Sequence, residues 1–365
     1  MRVTTSMMIR NYQTNLSKTS ENKMNLQNKV LTQRNFCSVK EDPSAAAKAS
    51  NLTRQYLKNS DYMDMAKDLR SKIDAQEDSV YQVVKYAEEL YAKLGKESLN
   101  GTNLSQRDTY ANTVLSIRDS ILQSLNATYS NTYIMAGANG TEAPFGINKD
   151  GKLTYRDIPV DSDDPADLEK LKEFNQETLY VDIGLGLEFQ KAAAGSNDYD
   201  QIISSTAFDV AFSGLKAVWN GEQGKAVPGL NGDAADYRQE NPLGTGSGKM
   251  ANNLVDLCTQ LAKELAQPDG DFDYQACDAM VTQIKEYHIQ ADNALTGIGV
   301  KENFLEKTVD RLEANDLSLA TQLERVVTPD MAAAITNYSY AQYAYNAALR
   351  IGVNLLSQSF LDFMR

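Results

Sequence analysis

Glycine and proline crowd into the middle of this chain, and their distribution constrains the fold more than any other feature. Fifteen of the 21 Gly and five of the eight Pro lie between Gly137 and Gly248. Because both residues interrupt helices, the flanks are expected to form long helices and the middle to form strands and turns. We therefore predict a mainly α fold: a long-helix coiled-coil bundle formed by the N- and C-terminal halves, with an inserted β-rich domain.

The two flanks support this prediction with apolar residues at three- and four-residue spacing. Such spacing places one apolar stripe along a helix, and a neighbouring helix must cover it. The stripes are too irregular for a two-stranded rod, which favours a bundle of three or four long helices. The first flank contains two stripes, one over residues 52–94 and a second with Tyr110, Val114, Ile117, Ile121 and Met135 on one side, and the second flank contains one over residues 284–326.

The middle of the chain changes to a period of two. Apolar residues alternate with Gly or acidic residues from Val181 to Phe189, which predicts a strand with one buried face. Phe208, Val210 and Phe212 repeat the pattern, 153–160 is a weaker strand candidate, and the Gly-rich stretch 220–248 is expected to be a surface loop.

These patterns divide the chain into five predicted segments. They are an N-terminal assembly tail (1–45), the first half of a helical domain (46–136), the inserted β-rich domain (137–249), the second half of the helical domain (250–328) and a C-terminal assembly helix (329–365).

The C-terminal segment has an apolar surface wider than one partner helix would cover. Three neighbouring heptad rows run along it, beginning at Ala334, Ile335 and Tyr338. The N-terminal tail has only a narrow row of apolar residues with which to cover this surface. The two ends are therefore expected to fold when copies assemble. The predicted assembly interface consists of Met7, Met8, Tyr12, Leu16, Ile335, Tyr338, Tyr345, Leu349, Gly352, Leu356 and Phe363.

The charge balance excludes some partners. The net charge is -13, although residues 1–58 carry ten Lys/Arg against three Asp/Glu. Phosphate binding requires clustered cations, so we expect no nucleic-acid partner and interpret the basic tail as joining an acidic partner surface. No apolar run is long enough for a membrane span, and the N-terminus lacks the apolar core of a signal peptide, so we expect no membrane contact.

Residue patterns typical of enzymes and metal sites are incomplete. His288 is the only histidine, and nothing marks a nucleophile beside it. Residues 244–249 resemble a phosphate loop but lack its leading Gly and its final Ser or Thr, while the acidic run 161–167 lacks the Gly and Glu of a calcium loop. Three scattered cysteines suggest neither a disulfide framework nor a metal site. We therefore predict a protein that is not an enzyme and has no cofactor, no metal and no catalytic residues.

Four sequence segments resemble the hook–filament junction proteins of the bacterial flagellin family. The opening residues 1–8 with Asn11-Tyr12 and Asn15-Leu16 resemble the start of that family, and Glu41-Asp42-Pro43 resembles its acidic motif before the first core helix. Tyr133–Gly137 with Pro144-Phe145 resembles its exit from the helical domain, and residues 341–363 resemble its C-terminus. The family usually has Ser-Gly after its first tail helix, where this chain reads Thr32-Gln33-Arg34, and Met135 stands in place of the usual Phe.

The resemblance implies a structural subunit of the bacterial flagellum that joins hook to filament. The paired terminal helices would line an inner tube, the helical domain would form the surrounding ring, and the insert would face outward. Implied partners are copies of the chain itself, a hook-associated protein on the hook side, flagellin on the filament side and a cytoplasmic export chaperone. The implied location is extracellular, in the flagellum, after type III export without a cleaved signal peptide.

Two alternatives remain open from the sequence. The first is flagellin, the filament subunit itself, although residues 63–75 lack the Asp-Gly-Ile-Ser stretch typical of flagellins. The second, from a different class, is a cytoplasmic coiled-coil binding module or an enzyme.

Overall fold

The structure is a computed structural model, and it describes residues 5–95, 102–162, 164–190, 201–221, 227–228, 234–235, 250–269 and 272–363. Long helices lie at both ends of the chain, and short helices and strands lie between them, as predicted. The helices are α1 (Thr5–Thr32), α2 (Pro43–Lys93), α3 (Leu104–Leu125), α4 (Pro165–Asn175), α5 (Leu215–Val218), α6 (Leu254–Leu265), α7 (Tyr274–Val327) and α8 (Met331–Phe363).

The strands are two or three residues long and pair in antiparallel hairpins and small sheets. They form the sheets β1-β2, β3-β4-β5, β6-β9, β7-β8 and β10-β11. Their bounds are β1 (Thr128–Tyr129), β2 (Thr132–Tyr133), β3 (Phe145–Ile147), β4 (Leu153–Tyr155), β5 (Ile158–Pro159), β6 (Tyr180–Val181), β7 (Phe189–Gln190), β8 (Gln201–Ile202), β9 (Phe208–Asp209), β10 (Val227–Pro228) and β11 (Ala234–Ala235).

The chain divides into two compact units, which we call the tail unit and the body unit. The tail unit comprises Met1–Asp61 and Arg311–Arg365, and the body unit comprises Tyr62–Asp310. The sequence-derived division into five segments remains a prediction.

The body unit has one continuous apolar core. It contains the predicted helical stripes, including Ile73, Val80 and Ile284, together with residues of the insert such as Leu153 and Phe212. The short strands therefore do not form a separate core of their own among the described residues. Helix α3 packs along α6 in this unit.

The predicted second helix ends earlier than its apolar stripe indicated. Helix α3 stops at Leu125, and Met135 lies beyond the β1-β2 hairpin. Ser130 and Asn131 turn that hairpin with φ of 49° and 63°, the left-handed conformation that two-residue hairpin turns require. Met135 is fully buried nonetheless, so its apolar character reflects the shared core and not a helix face.

The predicted strand from Val181 to Phe189 is wrong. Only its two ends pair, in β6 and β7, because Gly184 and Gly186 adopt φ of +80° and +81° and turn the chain. A Cβ at Gly184 would lie 2.9 Å from the Tyr62 ring, whose hydroxyl donates to Asp182 Oδ2 at 2.8 Å. This glycine is therefore needed for both its conformation and the close approach of Tyr62.

The other predictions for the middle have mixed outcomes. Residues 153–160 form the β4-β5 hairpin, which confirms the weaker strand candidate. Around Phe208 the strand is limited to β9, and Val210 and Phe212 are buried in loop conformation. The loop predicted over 220–248 and the phosphate-loop-like residues 244–249 lie mostly or wholly outside the described residues.

A buried carboxyl group in the body unit makes stability depend on pH. Burial raises the pKa of Asp256 to about 6, although its carboxylate accepts hydrogen bonds from Asn253 Nδ2 and the Leu153 N–H. The pKa of Glu264 is raised by burial in the same way. Because the folded pKa exceeds the unfolded one, the unfolded chain binds fewer protons in the window between them, and stability falls as pH rises.

We expect the body unit to be more stable near pH 5 than near pH 7.5, by about 1.4 kcal/mol from Asp256 alone. Denaturant unfolding of the full chain at the two pH values, followed by tryptophan fluorescence, measures this difference. Asp256→Asn removes the ionisation and should flatten the dependence, whatever its effect on absolute stability. An unchanged slope in that variant would show that Asp256 is not the titrating group.

Candidate assembly interface

The tail unit has a much poorer core than the body unit. Among the side chains that the structure describes, its buried apolar residues are Ala49, Leu52, Leu312, Ala334 and Ala341, three of which are alanines. Asn59 is buried with them and donates from Nδ2 to the Leu312 carbonyl at 2.8 Å. Little apolar area is thus removed from water in this unit, so hydrophobic stabilisation within one copy is small.

Helices α1 and α8 pack against each other in the tail unit as an antiparallel pair. Tyr12 near the start of α1 reaches Ala348, where its hydroxyl donates to the backbone carbonyl at 3.0 Å. Further along α1, the Lys23 ammonium lies 4.9 Å from the centre of the Tyr345 ring. The α8 surface facing α1 consists mainly of small residues, with Ala334, Ala341 and Gly352 buried.

Asparagine 35 anchors one end of this pair. Its backbone N–H donates to the Val327 carbonyl at 2.7 Å, and its Nδ2 donates to the carbonyls of Val326 and Thr328. The carbonyls at the end of α7, which have no partner within the helix, are satisfied in this way. Beyond this point Asp330 accepts hydrogen bonds from the N–H groups of Ala332 and Ala333 and caps α8.

The connection between α1 and α2 contains a residue in the left-handed region. Gln33 has φ of +55°, two residues before Asn35. The turn after α1 is thus made without the Ser-Gly that the resembled family usually has shortly after its first tail helix. The loop after α1 also bears Cys37, which is exposed, whereas Cys258 and Cys277 are buried in the body unit.

One flank of α8 contains part of the predicted interface. Ile335 and Leu349 are 50% and 40% exposed, and Val353 at the same flank is 68% exposed. They follow each other at fourteen- and four-residue spacing, which keeps them on one side of a helix. We call this row flank A, defined by Ile335, Leu349 and Val353.

The opposite side of α8 carries a second exposed apolar row. Tyr340 is 71% exposed and Ile351 is 56% exposed. Ala333 before them and Ala344 between them are also exposed. We call this row flank B, defined by Ala333, Tyr340, Ala344 and Ile351. An α-helix rotates by about 100° from one residue to the next, which places the face that α1 covers between flanks A and B.

The predicted interface residues therefore fall into three groups. Tyr12, Leu16, Tyr338 and Tyr345 are half-buried and Gly352 is buried, mainly between α1 and α8. Met7 and Met8 are exposed at the start of α1, and Ile335 and Leu349 are exposed on flank A. The side chains of Leu356 and Phe363 lie outside the described residues. The assignment of all these residues to an interface remains a prediction.

Sequence reasoning missed flank B and Asn35. Flank B could have been recognised in the sequence, because Ala333, Tyr340 and Ile351 are separated by seven and eleven residues. These intervals place the three residues on one side of a helix. Asn35 had none, because its partners lie more than 290 residues away in the sequence.

The residues considered for enzyme or metal chemistry have local structural partners. His288 is half-buried on α7 and packs edge-on against the Tyr91 ring, with centroids 5.3 Å apart. Asp164 caps α4, and Asp167 accepts a hydrogen bond from Ser162 Oγ at 2.9 Å. Asp163 lies outside the described residues. A search of the described helices finds no segment long and apolar enough to cross a membrane.

Comparison with known proteins locates this fold. Residues 3–140 match the family of the bacterial flagellin N-terminal helical region. No sequence among the curated proteins matches the chain.

Among solved structures, a protein from Vibrio parahaemolyticus described as a flagellar hook-associated protein is 18% identical. The match has a TM-score of 0.54 and covers 79% of this chain and 100% of the other. FlgL from Xanthomonas campestris is 14% identical with a TM-score of 0.49, covering 75% of this chain and 99% of the other. Hook-associated protein 3 from Legionella pneumophila is 12% identical with a TM-score of 0.43, covering 76% and 96%.

The family match covers the N-terminal residues 3–140, and the Vibrio parahaemolyticus structure shows a shared fold. The matched residues include α1, α2, α3 and the turn at Gly137. Over residues 3–140 this chain is therefore similar to the bacterial flagellin N-terminal helical region.

Proposed function

We propose that this chain is a self-assembling structural subunit of the bacterial flagellum that joins the hook to the filament through its paired terminal helices. The flagellin N-terminal region and a fold like that of a hook-associated protein support a place in the flagellum. The motifs at residues 1–16, 41–43, 133–145 and 341–363 favour the junction over the filament.

The observation that carries the proposal is the exposure of apolar side chains on both flanks of α8. Exposed apolar surface of this extent marks a protein interface when it is contiguous. The two flanks differ in sequence and lie on opposite sides of one helix, so flank A of one copy would meet flank B of the next. Such a heterologous contact generates a ring when the rotation closes and a helical array when it does not.

The other partners follow from the same surface and from the resemblance. Copies of the chain itself occupy the flanks, while a hook-associated protein and flagellin meet the two axial sides of the ring. An export chaperone covers the exposed apolar face of α8 in the cytoplasm before the chain leaves through the flagellar channel. The assembled protein then lies outside the cell.

Deletion of the gene tests the junction role. Cells without this protein should keep their hooks but release flagellin monomers into the medium, because the filament has no surface on which to start. Negative-stain imaging and quantification of secreted flagellin measure both results. Hooks that still carry filaments would contradict the junction role. Bare hooks without secreted flagellin would instead favour the alternative that this chain is the filament subunit.

A further inference from the structure

Gly352 is the only glycine in the sequence of α8, and it is buried against α1. A Cβ built at Gly352 would overlap Tyr12 Oη and Cζ and would lie 3.0 Å from Cε1. The Tyr12 ring thus rests directly on the α8 backbone, where no other residue type leaves room for it.

The Tyr12 hydroxyl adds a directional contact at the same place. It donates to the Ala348 carbonyl at 3.0 Å, in a half-buried position one helical turn from Gly352. The ring and the hydroxyl therefore fix the position of α1 along the α8 axis at one point. Elsewhere the described α8 surface that faces α1 combines the buried Ala334 and Ala341, which fit many alignments, with the half-buried Tyr338 and Tyr345.

A shift of α8 by one heptad would destroy this contact in either direction. Tyr345 and Ser359 occupy the same heptad row as Gly352, seven residues before and after it. One shift would set Tyr345 against Tyr12, and the other would set a serine Cβ into the Tyr12 ring. Each shift also loses the only position at which the ring can rest on the backbone.

We propose that Tyr12 seated on Gly352 sets the axial register of α1 on α8, and that assembly of the flagellar junction depends on this register. The inference rests on the proposed function, because flanks A and B meet their neighbours only when α8 is held at one height. Tyr12 and Gly352 act as positioning residues, since they lie at the covered face and not on either flank.

A set of full-length variants in the deletion strain tests this register contact. Gly352→Ala should shift the protein from the sheared flagellar fraction to the medium, lowering its incorporation at least about tenfold. Tyr12→Ala alone loses the register contact but creates no overlap, so it should lower incorporation less than Gly352→Ala does. Combining it with Gly352→Ala removes the overlap and should bring incorporation to within about threefold of Tyr12→Ala alone. Tyr12→Phe combined with Gly352→Ala keeps the ring carbon that overlaps the new Cβ, so this double variant should remain defective.

Gly297→Ala is the matched control. Gly297 is also a helical glycine, but an added Cβ there would contact no atom within 4 Å, so incorporation should be unchanged. The proposal is overturned if Gly352→Ala assembles like the wild type, or if Tyr12→Ala fails to rescue it. Leu349→Asp distinguishes failure of the register proposal from failure of the proposed function. If this flank variant also assembles normally, the proposed self-assembly through α8 fails as well.

Discussion

A mixture of Leu349→Asp and Ile351→Asp copies is expected to form one-to-one complexes, although neither variant should assemble alone. Each substitution places a carboxylate on one flank of α8, where burial in an apolar contact costs several kcal/mol. The first variant keeps flank B and the second keeps flank A. One intact A-to-B contact can therefore form between the two, and chain growth stops there.

Sedimentation velocity of the purified full-length variants, alone and mixed, measures this result. Both wild-type side chains are exposed in the single copy, so neither substitution should change its unfolding curve. Thr336→Asp is the matched control, since Thr336 is exposed on α8 outside both flanks. Dimers formed by either flank variant alone would contradict the heterologous contact, because they would require flank A to meet flank A or flank B to meet flank B.

The second large effect is expected in the body unit. Ile121→Ala removes a side chain that is fully buried on α3 and should lower the free energy of unfolding by about 2–5 kcal/mol. Ile147→Ala is the matched control, because Ile147 is 43% exposed and the same change should cost less than about 1 kcal/mol. Denaturant unfolding followed by circular dichroism measures both.

Incorporation of Ile121→Ala into flagella tests whether assembly depends on the tail unit alone or also on the body unit. At a temperature where Ile121→Ala remains folded, its incorporation into flagella should match the wild type, because the residue lies in the body unit and not on α8. Loss of incorporation by the folded variant would show that the body unit also determines assembly.

The sequence predicted the helical part of the fold well because helix-length apolar stripes have strong periodicity. The stripes in both flanks correspond to buried residues such as Ile73, Ile121 and Ile284. The middle was predicted less well, since Val181–Phe189 alternates as a strand does while Gly184 and Gly186 turn the chain. Period-two alternation cannot distinguish a strand from a turn built on glycines, which adopt the left-handed conformation readily.

The candidate interface was also predictable only in part. The C-terminal heptad rows were visible in the sequence, but the face that α1 would cover was not. The structure places Gly352, Ala334 and Ala341 toward α1 and leaves Leu349 exposed. Pairing between residues more than 300 positions apart has no local signature.

The hydrogen bonds from Asn35 to the end of α7 hold the bases of α1 and α8 together. Two chain ends tethered in this way meet each other at an effective concentration in the millimolar range, far above that of any second copy free in solution. Exchange of α1 helices between neighbouring copies would therefore be disfavoured in the proposed assembly.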